Sequence, residues 1–268
     1  MEKNLSDLIE ISRYYGQRKD YVIAGGGNTS FKNENDIWIK ASGTSLADIA
    51  LEGFAVLDRM ILKEIYTKNY STDSVTREAE VKSDLYRACR PGVKVRPSVE
   101  TSLHEIIRYA FVVHTHPTLV NAITCSNKAE ETIRSLFGDT ALFVPYTDPG
   151  YVLFTRIRDN LNTWRSSHTH DPKIIFLQNH GVFVAADSTD EIKESYAHLE
   201  SEIRKRILQV APTGDVSIPA GITAILPALR MIFSGDTVKL ASVRNNALAR
   251  YFLVDAGSFE AVSLPFTP

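Results

Sequence analysis

The chain has 268 residues, 44% of them hydrophobic and 23% charged, enough for one large domain with a substantial core. A net charge of −2 leaves no basic field for nucleic acid. No apolar run reaches the roughly 18 residues of a membrane span, and Met1-Glu2-Lys3-Asn4 lacks the apolar segment of a signal peptide, so a cytoplasmic protein is expected.

Apolar residues at Leu8, Ile11, Tyr14 and Tyr15 predict a first helix from Leu5 to Lys19, with Ser6 as its N-cap. Ala24-Gly25-Gly26-Gly27-Asn28-Thr29-Ser30 is a backbone-permissive turn. Thr29–Lys32 and Asp36–Lys40 read as a hairpin about Asn33-Glu34-Asn35. Ala41-Ser42-Gly43-Thr44-Ser45 is a second turn, expected at the same end of the sheet as the first. Phe54–Leu57 reads as a strand, and Arg59–Lys68 and Val75–Cys89 as helices. Ser98 is the expected cap of a helix reaching Tyr109, with Leu103, Ile106 and Ile107 as its apolar face.

Ala110-Phe111-Val112-Val113 predicts a buried strand, and a helix follows Pro117. Tyr151–Trp164 reads as a helix. Ile174–Leu177 and Val182–Ala185 read as paired strands, and Asp187 or Ser188 as the cap of a long helix to about Val210. Ala211-Pro212-Thr213-Gly214-Asp215 reads as a linker. It separates a domain over 1–210 from a C-terminal extension over 211–268, in which 220–233 reads as a helix and 237–241 and 251–254 as strands. Helices and strands interleave without a regular βαβ period, so an α/β layered sandwich is expected, not a barrel.

His114-Thr115-His116 closes the 110–113 run, and residues two apart on a strand share a face. Asn179-His180-Gly181 closes a second apolar run and offers a third imidazole. Three histidines with Glu100 nearby make an open divalent site, suited to Lewis-acid catalysis. Glu100 falls in the first turn of its helix, where the dipole favours a carboxylate. His104 lies on the same helix face as Glu100 and reads as an orienting or structural residue. His168, His170 and His198 lie in polar segments and read as solvated. The two Gly-rich turns suggest an anion nest of backbone N–H groups, with Asn28, Ser42 and Ser98 as added donors. Neither turn has the spacing of a dinucleotide or P-loop site. Cys89 and Cys125 form no CxxC and read as free thiols.

Six ordered blocks resemble the class II aldolase/adducin N-terminal family. They are Gly27-Asn28-Thr29-Ser30, Lys40-Ala41-Ser42-Gly43, Pro97-Ser98-Val99-Glu100 with His104, Val113-His114-Thr115-His116-Pro117, Val144-Pro145-Tyr146 and Gln178-Asn179-His180-Gly181. The resemblance covers roughly residues 5 to 210. It is nearest to the aldolase part of bifunctional rhamnulose-1-phosphate aldolase/dehydrogenase proteins. It implies a three-layer sandwich with a mixed or antiparallel central sheet, usually in a homotetramer. The implied reaction is metal-dependent retro-aldol cleavage of a ketose 1-phosphate, such as rhamnulose or fuculose 1-phosphate, to dihydroxyacetone phosphate and an aldehyde. By the same resemblance His114, His116 and His180 bind zinc or another divalent transition metal, and Glu100 exchanges a proton with substrate. Asn28, Ser42, Gly43 and Ser98 hold the phosphate. Simple fuculose-phosphate aldolases carry a hydroxyl residue where Gly25 stands and Ser where Val99 stands. The ending Pro265-Phe266-Thr267-Pro268 reads as a point where longer relatives continue. The alternatives are a sugar-phosphate dehydratase, an epimerase, which usually has Asp in place of Glu100, and a non-catalytic adducin-like binding module.

Overall fold

The computed structural model describes residues 1–207, 214–243, 245–254 and 257. In chain order its main elements are α1 (Glu2–Gly16), β1 (Asn28–Lys32), β2 (Asp36–Lys40), β3 (Phe54–Asp58), α2 (Arg59–Glu64), α3 (Ser74–Ala88), α4 (Thr101–Ile106), β4 (Phe111–Thr115), α5 (Thr118–Thr124), α6 (Ala129–Phe137), β5 (Ala141–Val144), α7 (Tyr151–Arg165), β6 (Ile174–Leu177), β7 (Gly181–Ala186) and α8 (Thr189–Arg204). The strands form one sheet in the order β3-β2-β1-β4-β7-β6-β5. Every neighbouring pair is antiparallel except β5 with β6, so the sheet is mixed.

Helices cover both faces. Alternation along β4 sends Phe111 and Val113 into a core with Leu8 and Ile11 of α1, Val120 of α5 and Leu199 of α8. Val112 points to the opposite core, with Leu103 of α4 and Phe154 of α7. Leu62 of α2 and Leu85 of α3 extend that second layer over Ile37, Ile39 and Leu57. The result is a helix–sheet–helix sandwich.

Several boundaries differ from the sequence expectation. The first helix begins at Glu2, so Ser6 lies inside it and caps nothing. It ends at Gly16, where a Cβ would lie 2.4 Å from the Leu46 carbonyl carbon, because α1 closes onto the 44–47 turn. The 98–109 helix shrinks to α4, with Glu100 at the N-cap. Ser98 instead makes the turn before it, its Oγ accepting from the Glu100 N–H at 3.2 Å. Beyond Ile106 the ladder is broken by side chains: Arg165 donates to the Ile106 carbonyl at 2.8 Å, and Asp171 accepts the Arg108 N–H at 2.9 Å. Ser188 caps α8 as expected, its side chain accepting from the Glu191 N–H, and the helix ends at Arg204; Val210 lies outside the described residues. Helix α6 and strand β5 carry no sequence expectation; β5 pairs in parallel with β6, Phe143 opposite Phe176.

The chain divides into two compact units, Met1–Arg206 and Ile207–Phe266. The second contains α9 (Ile222–Ser234) and α10 (Ala247–Leu253). The expected strand over Thr237–Ala241 is absent among the described residues. Val238 and Leu240 are exposed there with no ladder partner. The expected strand at Tyr251–Val254 falls largely in α10 instead. The Asn246 side chain accepts from the Ala249 N–H, and this cap starts a helix that overrides the β-propensity of Tyr251. Pro265–Pro268 lie outside the described residues.

Candidate metal centre

Strand register assembles the site. The β1–β4 pairing sets Asn28 opposite His114, and the β4–β7 pairing sets Thr115 opposite Val182. The turn from β6 to β7 carries His180. It is pinned from two sides, the Gln178 N–H donating to Val144 O at 3.0 Å and the Asn179 N–H to Thr124 O at 3.2 Å. Asn179 takes a left-handed φ of 56°, tolerable for this side chain, and turns the chain into β7. At Gly181 a Cβ would meet Thr115 O at 2.4 Å and His116 Cδ2 at 2.7 Å, so only glycine allows this approach.

One ring nitrogen from each of His114, His116 and His180 converges within 4.8 Å of the others. His114 Nε2 lies 3.1 Å from His116 Nε2 and 3.4 Å from His180 Nε2. His114 Nδ1 lies 3.1 Å from the Val182 carbonyl, which fixes the proton on Nδ1 and turns the Nε2 lone pair toward the cluster. Phe183 stacks on the His114 ring at 4.1 Å and fixes its plane. Burial keeps all three rings neutral: His114 titrates well below the usual range, His116 below it, and His180 near 4 through burial and the neighbouring His116. Neutral imidazoles with lone pairs facing one another are a donor set that a divalent cation satisfies.

Glu100 completes the wall. Its Oε1 lies 3.6 Å from His114 Nε2 and 3.9 Å from His180 Nε2. Its Oε2 accepts from the Asn28 side-chain amide. Burial pushes the Glu100 carboxyl up to about 7, opposed by the Asn28 bond and by the charge of Lys40. A carboxyl in that range both accepts and returns a proton near neutrality.

Lys40, which the sequence reading placed in the Lys40-Ala41-Ser42-Gly43 block without giving it a role, lies beside this group. It is 2% exposed and its Nζ donates to Gly25 O at 3.0 Å. That bond joins the two Gly-rich turns, which do lie together. Burial pulls the Lys40 ammonium down, and Glu100 is the one charge that pulls it back. No carboxylate lies within ion-pair distance of it among the described residues, so a buried cation stands largely uncompensated. A lysine ending the apolar run Ile37-Trp38-Ile39 was the sequence signal for it.

The anion nest is narrower than expected. The Ser42 N–H donates to Arg96 O at 2.8 Å and the Thr44 N–H to Ala41 O at 3.2 Å, leaving Gly43, at φ 84°, as the N–H between them. Ser42 Oγ accepts from Arg96, a second residue to which the sequence reading gave no role. A bridge between Ala41 and Pro97 brings the Ser42 and Ser98 turns side by side. His104 is fully buried away from the cluster, its Nδ1 2.8 Å from Ser30 Oγ. His170 and His198 are exposed and His168 stacks on Trp164 at 3.9 Å; none joins the cluster. No helix among the described residues is long and apolar enough to cross a membrane.

Residues 6–205 match the model of the class II aldolase and adducin N-terminal domain. The chain is 26% identical over 200 residues to the uncharacterized oxidoreductase YuxG of Bacillus subtilis, covering 71% of this chain and 27% of that protein. It is 25% identical over 210 residues to an L-fuculose phosphate aldolase of Methanococcus maripaludis, covering 77% and 94%. Other matched relatives are named as a decarboxylase and a dehydratase. Among solved structures, the N-terminal class II aldolase domain of a conserved protein from Thermoplasma acidophilum shares the fold, with a TM-score of 0.63, 24% identity, and coverage of 75% of this chain and 92% of that one. The chain belongs to the class II aldolase and adducin N-terminal domain family.

Proposed function

We propose that this member of the family is a divalent-metal-dependent lyase. Its reaction is retro-aldol cleavage of a ketose 1-phosphate, of the rhamnulose or fuculose 1-phosphate kind, to dihydroxyacetone phosphate and an aldehyde. The observation that carries the reading is the convergence of three neutral imidazoles with a buried carboxyl at 3.6 Å. His114, His116 and His180 would hold the ion, zinc or another divalent transition metal. When bound, it supplies Lewis-acid polarisation of a substrate carbonyl.

The chain's own residues divide the remaining work. Glu100 has one oxygen tied to Asn28 and the other facing the histidines, so it can exchange the proton at the substrate carbon that becomes nucleophilic. Asn28 fixes the rotation of that carboxyl and keeps its own amide oxygen for substrate. Lys40 supplies a desolvated positive charge for the phosphate, with Ser42, Gly43 and Ser98 as neutral donors around it. Where simple fuculose-phosphate aldolases use a hydroxyl, this chain has Gly25, whose carbonyl holds the Lys40 ammonium. A homotetramer, a catalytic domain over 1–210 and a cytoplasmic location belong to the same reading.

A sugar-phosphate dehydratase is the second reading, because Glu100 can serve as its proton carrier as well. The deciding experiment measures metal in the purified protein and products from a panel of ketose 1-phosphates. Metal together with dihydroxyacetone phosphate release supports the aldolase. Metal with water loss and an unchanged carbon count supports the dehydratase. Protein purified in the presence of zinc yet free of metal would overturn both and favour a binding module.

A further inference from the structure

At the other end of α4 from Glu100, the structure has a cavity of about 750 Å³, between α2 and the residues that follow it, α4 and α7. Its volume falls in the range of about 300–1,000 Å³ typical of small-molecule sites. Arg59, Lys63, Arg108, Arg158 and Arg165 line it against only two carboxylates, Glu105 and Asp159.

The existing bonds leave a positive surplus. Arg59 Nε donates to the two oxygens of Glu105 at 2.9 and 2.8 Å. Arg165 is held by Asp171 at 2.7 and 2.6 Å and caps the Ile106 carbonyl. Arg158 donates to Asp159 at 3.0 Å and to Tyr66 O at 2.9 Å. Part of this cationic set therefore serves helix ends, which is a structural duty. Lys63, in the last turn of α2, and Arg108, whose charge reaches Asp171, are held less firmly: neither has an acidic side chain within ion-pair distance among the described residues. Lys32, 5% exposed, is not one of the lining cations: its Nζ donates to the His104 carbonyl at 2.7 Å, and Glu105 acts on it only from beyond ion-pair distance. The Tyr66 hydroxyl, on a residue of the same wall, is buried without a hydrogen-bond partner. A concave wall of one sign focuses potential and concentrates counter-ions, here in a protein whose net charge is −2.

We propose that this cavity is a second, separate anion site that binds a small phosphate-bearing ligand. Lys63 from α2, Arg108 beyond α4 and Arg158 from α7 approach from three directions. That arrangement suits the tetrahedral, multiply accepting oxygens of a phosphate better than a flat carboxylate met by one fork. The Asn162 amide on the wall supplies a neutral donor for the rest of the ligand. The assignment does not depend on the reaction at the histidine cluster.

The test is a nuclear magnetic resonance titration of the ¹⁵N-labelled full chain at constant ionic strength, first with inorganic phosphate and then with ribose 5-phosphate. The reporters are the Nε–H groups of Arg59, Arg158 and Arg165 and the Asn162 side-chain amide; the Asn28 amide reports the histidine site separately. Saturable shifts at the cavity reporters are expected. The Lys63→Ala/Arg108→Ala double variant, which changes two exposed side chains without ion-pair partners, should weaken that titration by about tenfold or more and leave the Asn28 response unchanged. Equal affinity for the two probes would identify free phosphate as sufficient, and tighter ribose 5-phosphate would mean that the organic part is recognised too. Absence of saturable shifts with both probes, or shifts indifferent to the double variant, would overturn the proposal.

Discussion

Gly181→Ala is the sharpest test of how the fold positions its histidines. The added Cβ would lie 2.4 Å from Thr115 O and 2.7 Å from His116 Cδ2, where 3.4–4 Å is ordinary contact. Relief requires the start of β7 to withdraw by roughly 1 Å from the end of β4. That is the seam that sets His114 and His116 against His180. Overpacking of this size costs about 1–3 kcal/mol, a fall in Tm of about 3–10 °C for a unit of this length. Displaced ligands should lose about 10–100-fold in metal affinity, as residues that orient ligands do. The assay is zinc competition against a chromophoric chelator, with thermal melts followed by circular dichroism. Gly43→Ala is the control: its Cβ would meet nothing within 4 Å, although its φ of 84° carries a backbone penalty. It should cost about 1 kcal/mol and leave zinc affinity intact. Zinc affinity of Gly181→Ala within about twofold of the parent would refute the argument.

Other expectations concern single groups. His114→Ala should lose metal and activity together, whereas Glu100→Gln should keep most of the metal and lose about 100-fold or more in turnover; metal retained by both His114→Ala and His180→Ala would end the three-histidine assignment. Lys40→Met should raise KM for a phosphorylated substrate by about tenfold or more with a smaller effect on kcat, and an unchanged KM would remove Lys40 from the phosphate. Burial pushes the Lys32 ammonium down to about 7. The unfolded chain then holds more protons than the folded one from about pH 7 up to the ordinary lysine value near 10.4. Stability from this group is complete above that window and is lost progressively as pH falls across it, the loss ending once pH falls through about 7, with a slope of up to about 1.4 kcal/mol per pH unit. Lys32→Met should remove that slope between pH 7 and 9 in urea unfolding; parallel curves would show that Lys32 does not titrate there. Arg59→Met leaves Glu105, whose side chain is 1% exposed, without the Nε–H that its two oxygens share, and should cost about 3–5 kcal/mol; a loss under about 1 kcal/mol would mean that the pair is not what keeps the buried carboxylate charged.

The sequence signalled most clearly what was both local and apolar. Phe111–Val113, Ile174–Leu177 and Val182–Ala185 announce themselves as strands because both sheet faces are covered and no polar residue interrupts them. The histidines were legible for a related reason, since imidazoles closing such runs stand out. Hidden from a linear reading was whatever depends on a distant partner. Strand β5 is four residues long and is held by β6, and α4 stops at Ile106 because Arg165 and Asp171 take its last groups. The role of Lys40 also depends on such a partner, the Gly25 carbonyl from a turn 15 positions away. Thr237–Ala241 had strand-like residues but no strand to pair with among the described residues.

The segments that meet at the cluster are far apart along the chain: His114 and His180 are separated by 66 positions, and Asn28 and Glu100 by 72. Such contacts form only after long loops have closed, so they are late events in folding and raise the contact order of the domain. A nascent chain with β4 alone offers two imidazoles close in sequence; the third arrives only when β7 docks. The proposed divalent-ion affinity would therefore be a property of the finished tertiary structure. Measured during refolding, its appearance would time the docking of β7 on β4 without any added label.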